Sequence, residues 1–245
     1  MSDYPAPEPL IQVLPEAESL GRAAAARMAS ILLESPEGMP LYVALAGGNT
    51  PRLVHDVLST TFRERLPWDR IFLFWSDERF VPLDDERSNY RMALETLISK
   101  VPIPPENVFP TPVHHATPEE AADAYEETIR SVLGERGFDV VFLGMGSDGH
   151  TASLFPGSDA LEEKLRLVRA VDAPDYADPR QRITFTLPLI ARSEHVIFVV
   201  SGADKRDALR QVQQGHSHLP ASRVKSHGTV EWFVDAAAFG EESPA

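Results

Sequence analysis

The chain has 245 residues, no cysteine and a formal net charge of −14, because 37 Asp and Glu residues outnumber 23 Lys and Arg residues. The absence of cysteine excludes disulfides, thiolate metal sites and a cysteine nucleophile. The acidic balance disfavours non-specific binding of nucleic acid, which requires clustered Lys and Arg. An anionic substrate would therefore require a local concentration of positive charge.

The chain shows no targeting signal or membrane segment. Residues 1–9 are acidic and proline-rich, and they lack the basic and apolar regions of a signal peptide. No apolar run approaches the roughly 18 residues that a membrane helix requires. We therefore expect a cytoplasmic monomer that binds neither membranes nor nucleic acid.

Short apolar runs alternate with segments of helical spacing along the chain. Strands are predicted at Leu10–Leu14, Leu41–Ala46, Ile71–Trp75, Val140–Leu143, Leu167–Val171 and Val196–Val200. Helix signals include a Thr50–Pro51 start and a capping box at Thr117–Glu120. Because strands and helices alternate, we expect an α/β fold with a mostly parallel sheet covered by helices on both faces.

Four of these strands are followed at once by turns rich in Gly, Ser and charged residues. The turns are Gly47–Pro51, Ser76–Arg79, Gly144–His150 and Ser201–Lys205. Ligands of open α/β sheets bind at the carboxyl ends of the strands. The positions of the four turns therefore predict one site at one edge of the sheet.

The first turn has features of an anion site. Gly47 and Gly48 allow close approach of the backbone to a ligand, and Asn49 and Thr50 stand at a predicted helix start. A plain strand-to-helix turn capped by Thr50 is the alternative interpretation.

The second turn combines both signs of charge. Asp77 or Glu78 could act as a base or orient a hydroxyl of the ligand, and Arg79 could bind a phosphate. An Arg–carboxylate pair that braces the loop is the alternative.

The third turn is the most specific of the four. Backbone N–H groups of its glycines, Gly146 and Gly149 among them, could bind an oxyanion or a phosphate. His150 could act as a general base, and Asp148 could hold its imidazole or contact the ligand. A G-x-S-x-G elbow is absent, so Ser147 is a poor candidate for a nucleophile.

Two further cations accompany these turns. Lys205 stands near a predicted helix start, where a cation is unfavourable unless it pairs with an anion. That anion could be a ligand, or it could be the flanking Asp204 or Asp207. Arg182 precedes an apolar run and is a further candidate for phosphate binding.

In combination these residues resemble the 6-phosphogluconolactonase family over nearly the whole chain. The resemblance is carried by Leu45–Pro51, Phe74–Pro82, Ser88–Tyr90, Phe138–Gly157, Arg182–Pro188, Ser201–Lys205, Pro220–Ser222, Trp232 and Phe233. It implies a Rossmann-like three-layer α/β fold with a smaller interwoven α/β lobe, and hence one domain over residues 1–245. It also implies hydrolysis of 6-phospho-D-glucono-1,5-lactone, a sugar-phosphate lactone, without a cofactor or a metal.

For this reaction we expect His150 to be the base, with Asp77 as the second candidate for a catalytic carboxylate. The expected substrate-binding residues are Gly47, Gly48, Asn49, Thr50, Arg79, Gly146, Asp148, Gly149, Arg182 and Lys205. Glucosamine-6-phosphate deaminase, of the same superfamily, is the alternative. Its pattern carries a glutamate where this sequence has Phe155, which counts against it. A non-catalytic sensor of sugar phosphates is a third possibility.

Overall fold

The computed structural model describes residues 10–240, so the expectation about residues 1–9 lies outside the described residues. Within that range the strands are β1 Leu10–Leu14, β2 Leu41–Leu45, β3 Ile71–Trp75, β4 Asp77–Arg79, β5 Val140–Leu143, β6 Val168–Asp172, β7 Gln181–Phe185, β8 His195–Val200 and β9 Thr229–Asp235. The α-helices are α1 Ala17–Glu34, α2 Asn49–Thr60, α3 Asn89–Thr96, α4 Pro118–Leu133, α5 Leu187–Ala191, α6 Arg206–Gln213 and α7 Ala236–Phe239. None of these helices is long and apolar enough to cross a membrane.

The main sheet has six strands in the order β1-β9-β8-β5-β2-β3, and every neighbouring pair is parallel. The inner strands β2, β5 and β8 are buried on both faces, whereas the edge strand β1 is largely exposed. In β2, for example, Val43 belongs to the core shared with Met28 of α1, whereas Ala44 belongs to the core shared with Ile129 of α4. Successive side chains of a strand point to opposite faces, so this alternation places helices on both sides of the sheet. The predicted three-layer α/β fold is confirmed.

A second, antiparallel sheet has the order β4-β7-β6 and packs against α4. Its first strand begins two residues after β3 ends, with only Ser76 between them, so the small sheet is interwoven with the large one. The prediction that Leu167–Val171 joins the parallel sheet is wrong. This segment forms β6 and pairs with β7, which returns antiparallel to it after a short connection.

Three other local predictions are corrected. Asp77–Arg79 forms β4 rather than a turn, because it pairs with β7. Thr50 is not the N-cap of α2: the helix begins at Asn49, and the N-cap is Gly48 with φ of 103°, a conformation that favours glycine. Strand β9 was missed because Glu231 and Asp235 interrupt its apolar pattern. The start of α4 is as predicted, since Thr117 accepts the Glu120 N–H at 3.2 Å.

Candidate active site

A cavity of about 510 Å³ lies at the carboxyl ends of β2, β3, β5 and β8. Residues from all four predicted turns line it, so the prediction of one shared edge is confirmed. The candidate residues on its wall are Gly47, Gly48, Asn49, Thr50, Asp77, Arg79, Gly146, His150, Arg182 and Lys205. Asp148 and Gly149 are not on the wall, and the contacts of Asp148 show that it acts on His150 instead.

His150 is oriented by Asp148. The Nδ1 atom of His150 lies 2.6 Å from Asp148 Oδ1, and the same oxygen accepts the backbone N–H of His150 at 3.0 Å. Burial favours a higher pKa for Asp148, but hydrogen bonds from His150 and Tyr176 outweigh it and hold that pKa well below its usual range. An ionised carboxylate only accepts hydrogen bonds, so Nδ1 carries a proton and Nε2 of the neutral ring is left as the acceptor.

Close packing in the turn requires glycine at position 146. A Cβ atom on Gly146 would lie 2.2 Å from the imidazole of His150 and 2.7 Å from Asp148 Oδ1.

Two backbone N–H groups of this turn form hydrogen bonds within the turn. Gly146 N–H donates to the His150 carbonyl at 2.9 Å, and Gly149 N–H donates to the Gly146 carbonyl at 3.0 Å. These two N–H groups are therefore not free to bind an oxyanion, contrary to prediction.

Asp77 is 9% exposed and is held at the wall of the cavity by two polar neighbours. Its Oδ2 accepts the Ser153 hydroxyl at 2.6 Å, and its backbone carbonyl accepts Asn89 Nδ2 at 2.8 Å. Its Oδ1 has only a longer contact, at 3.5 Å from Asn89 Nδ2, so this oxygen is the less strongly bound of the two while the side chain is fixed in position.

Glu78 points away from the cavity and has a structural role. Its carboxylate accepts the backbone N–H groups of Arg79, Asn89 and Tyr90 at 2.7–2.8 Å, and it also accepts the Ser88 hydroxyl. Burial raises the pKa of Glu78, and these donors oppose the rise. The carboxylate therefore stabilises the free N–H groups at the start of α3 and does not serve as a base.

Arg79 and Arg182 lie directly opposite each other on β4 and β7. Arg182 is 7% exposed and donates from Nε to the Pro179 carbonyl at 2.6 Å, and Arg79 donates from Nη1 to the Arg87 carbonyl at 2.6 Å. Neither guanidinium forms an ion pair with a carboxylate of the described chain, and Arg79 Nε is buried without a partner there. Burial lowers the pKa of Arg182, while Asp77 opposes that change. Two facing cations without a carboxylate form a suitable site for a dianion.

Lys205 also lines the cavity, just before α6. Its Nζ atom lies 2.7 Å from Asp204 Oδ2, so this cation is already paired. The carboxylate of Asp204 is largely exposed, which makes the pair a weak one. Lys205 therefore remains available to a stronger anion. Within residues 10–240, no group of three or more His, Asp or Glu side chains is arranged to hold a metal ion.

A family model described as glucosamine-6-phosphate isomerases/6-phosphogluconolactonase matches residues 15–232. The chain belongs to this family. A curated 6-phosphogluconolactonase of Synechocystis sp. is 39% identical over 80% of this chain and 82% of its own length. The crystal structure of 6-phosphogluconolactonase from Thermotoga maritima is 35% identical and matches with a TM-score of 0.79 over 92% of this chain and 99% of that one. The Trypanosoma brucei 6-phosphogluconolactonase structure is 31% identical, with a TM-score of 0.81 over 94% and 97%.

Phe155 stands at the sequence position where the deaminase pattern carries a glutamate. Its ring packs against His150 with the centroids 4.6 Å apart, and it is 5% exposed. This position next to His150 therefore offers an apolar ring and no carboxylate.

Sequence reasoning assigned no role to three further residues on the wall: Asn89, Ser153 and Tyr176. Asn89 carried a signal, because Ser88-Asn89 precedes a helix. Ser153 carried a weaker one, since it lies three residues after His150. Tyr176 carried none, as its contact with Asp148 depends on the path of a loop between β6 and β7.

Proposed function

We propose that this protein hydrolyses 6-phospho-D-glucono-1,5-lactone to 6-phospho-D-gluconate, the second step of the oxidative pentose phosphate pathway. The observation that carries the proposal is one cavity that holds His150, oriented by Asp148, together with the facing pair Arg79 and Arg182. The first group suits activation of water, and the second suits a phosphate. The 6-phosphogluconolactonase relatives support the same reaction.

His150 is the proposed general base. Its Nε2 atom removes a proton from a water molecule while the water oxygen bonds to the lactone carbonyl carbon. The tetrahedral intermediate then breaks the bond between that carbon and the ring oxygen, and the imidazolium returns the proton to the departing ring oxygen. The net change is the addition of one water, so the reaction needs no oxidant, reductant or cofactor.

The phosphate is proposed to bind among Arg182, Arg79 and Lys205. The start of α2 adds backbone N–H groups at Asn49 and Thr50, since no side chain caps this helix end. Arg182 should contribute most, because a buried guanidinium without a carboxylate partner gains the most from an anion. Asp77 is proposed to orient a hydroxyl of the sugar.

The two alternative functions, a deaminase and a sensor of sugar phosphates, would require different residues in the site. A deaminase of the pattern considered would carry a glutamate at position 155, whereas Phe155 packs its ring against His150. A sensor would bind the sugar phosphate without needing an oriented base, yet His150 and Asp148 are in place. We further propose that the enzyme is a cytoplasmic monomer with one domain, in which Gly47 and Gly48 allow the substrate to approach the backbone.

The test is a lactonase assay on freshly made lactone, coupled to 6-phosphogluconate dehydrogenase and corrected for spontaneous ring opening. We expect turnover of the lactone and no release of ammonia from glucosamine 6-phosphate. Ammonia release would favour the deaminase. Tight binding of 6-phosphogluconate with no turnover of the lactone would favour the sensor.

A further inference from the structure

Tyr176 lies on the loop of residues 173–180, which connects β6 to β7 and reaches the wall of the cavity. The residue is 72% exposed, and its ring packs against no other aromatic ring of residues 10–240. Its hydroxyl nevertheless lies 2.5 Å from Asp148 Oδ2. An exposed tyrosine adds little to a core, so the polar contact is its main structural interaction.

The two oxygens of Asp148 have different partners. Oδ1 accepts both the ring Nδ1–H and the backbone N–H of His150, and the one donor to Oδ2 within residues 10–240 is the hydroxyl of Tyr176. Rotation of a carboxylate about its last bond is soft, so contacts at one oxygen leave the plane of the group poorly defined. The contact at the second oxygen fixes that plane, and with it the direction of the bond to His150.

The loop that carries Tyr176 has polar contacts of its own. Arg87 forms an ion pair with Asp178 at 3.0 Å, and Arg180 forms one with Asp175 at 2.8 Å, although both carboxylates are exposed and each pair is therefore weak. Within the loop, the Ala177 N–H donates to the Pro174 carbonyl at 2.9 Å. The phenol thus reaches Asp148 from a segment outside the turn that carries Asp148 and His150.

We propose that Tyr176 is a positioning residue for the lactonase reaction, which acts through Asp148 to fix the imidazole of His150. The inference rests on the proposed function, because it assigns His150 as the base. The hydrogen bond to Asp148 raises the pKa of Tyr176 to about 12, so the phenol keeps its proton and remains a donor at neutral pH. Displacement of a reacting group by about 1 Å can cost on the order of 100-fold in rate, so a contact that fixes the base is functionally significant.

The test compares Tyr176→Phe with Tyr90→Phe. Both remove one hydroxyl and keep the ring, but the Tyr90 hydroxyl has no hydrogen-bond partner in the described chain and is not on the cavity wall. We expect Tyr176→Phe to lower kcat by about 5- to 10-fold, the effect of one hydrogen bond, with KM unchanged. Tyr90→Phe should match the wild type. A change confined to KM, or no change at all in an active enzyme, would overturn the inference.

A double-mutant cycle with Asp148→Ala shows whether Tyr176 acts through Asp148. We expect Tyr176→Phe to have no further effect once Asp148 is replaced, because the contact is then already lost. Equal effects of Tyr176→Phe in both backgrounds would contradict the inference.

A readout without substrate separates this inference from the proposed function. Nuclear magnetic resonance of ¹⁵N-labelled histidine should show the His150 Nδ1–H protected from exchange in the wild type and in Tyr90→Phe. In Tyr176→Phe the signal should exchange faster. An inactive wild type would refute the proposed function alone, whereas an unchanged signal in Tyr176→Phe would refute the positioning role.

Discussion

Arg79 and Arg182 occupy facing positions on the antiparallel strands β4 and β7, and neither has a carboxylate partner in the described chain. Like charges placed directly opposite each other on a sheet are destabilising. An anion bound between or beside the two groups therefore stabilises the arrangement, in addition to the charge of Asp77, which already acts on Arg182. It also answers the question posed by a net charge of −14, because the positive charge is concentrated at one edge of the sheet.

Replacement of Arg182 should weaken substrate binding more than catalysis. We expect Arg182→Ala to raise KM on the order of 10- to 100-fold with a smaller change in kcat, since charge-assisted hydrogen bonds to the phosphate are lost. Arg210→Ala is the matched control, because Arg210 is an exposed arginine whose partner is Asp207. Steady-state kinetics on fresh lactone measure both. An unchanged KM in Arg182→Ala would remove Arg182 from the phosphate site.

Replacement of Asp148 should lower kcat. In Asp148→Asn the amide can present an N–H to the imidazole, which favours the wrong tautomer, and we expect kcat to fall on the order of 100-fold. Asp207→Asn provides a control, because Asp207 is exposed, pairs with Arg210 and does not line the cavity. If Asp148→Asn retained wild-type kcat, the orientation of His150 by Asp148 would be catalytically irrelevant.

Asp77 and His150 are the two candidates for the base, and variants of the two residues should differ in their kinetics. Asp77→Asn keeps the size of the side chain and retains an oxygen for the Ser153 hydroxyl, which donates to Asp77 at 2.6 Å. We expect Asp77→Asn mainly to raise KM, since Asp77 is proposed to orient a hydroxyl of the substrate. A loss of kcat in Asp77→Asn larger than that in His150→Ala would reverse the two assignments.

His55 should make the protein less stable in mild acid. It is buried between α2 and α3, its Nδ1 atom lies 2.8 Å from Thr96 Oγ1, and burial lowers its pKa to about 4. The unfolded chain takes up this proton near pH 6.5, so stability is lost as the pH falls from about 6.5 towards about 4. Between pH 7.5 and pH 5 the loss from this group is about 2 kcal/mol.

The measurement is urea unfolding at the two pH values, in the wild type and in His55→Asn. Asparagine keeps a donor near the position of Nδ1 and does not titrate. The difference in the free energy of unfolding between pH 7.5 and pH 5 should therefore be about 2 kcal/mol smaller in His55→Asn than in the wild type. His218→Ala, which removes an exposed histidine, should keep the wild-type difference. Equal pH dependence in the wild type and in His55→Asn would show that His55 is not the titrating group.

The strands of the parallel sheet could be predicted where they are uniformly apolar, as at Ile71–Trp75 and Val196–Val200. Their burial on both faces leaves an unbroken run in the sequence. Strand β9 could not be predicted because it contains the charged residue Glu231. The carboxylate of Glu231 accepts hydrogen bonds at 2.8 Å from Arg27, which lies 204 positions away in the sequence. A local pattern does not report such a partner.

The site was predicted from one geometric rule, that turns after parallel strands converge. This rule placed His150, Asp77 and Lys205 in one cavity. It did not distinguish Asp77 from Glu78, since only the fold shows that Glu78 faces the start of α3. It also gave no indication of Tyr176, whose contact with Asp148 depends on the path of the loop between β6 and β7.

The role of His150 as the general base is tested by kcat/KM of His150→Ala on fresh 6-phospho-D-glucono-1,5-lactone, beside His218→Ala and the wild type. Circular dichroism and thermal unfolding would establish that each variant is folded. We expect kcat/KM to fall by about 10²- to 10⁴-fold in His150→Ala, which is the usual contribution of a general base, and to stay unchanged in His218→Ala. Activity of folded His150→Ala within a few-fold of the wild type would contradict it.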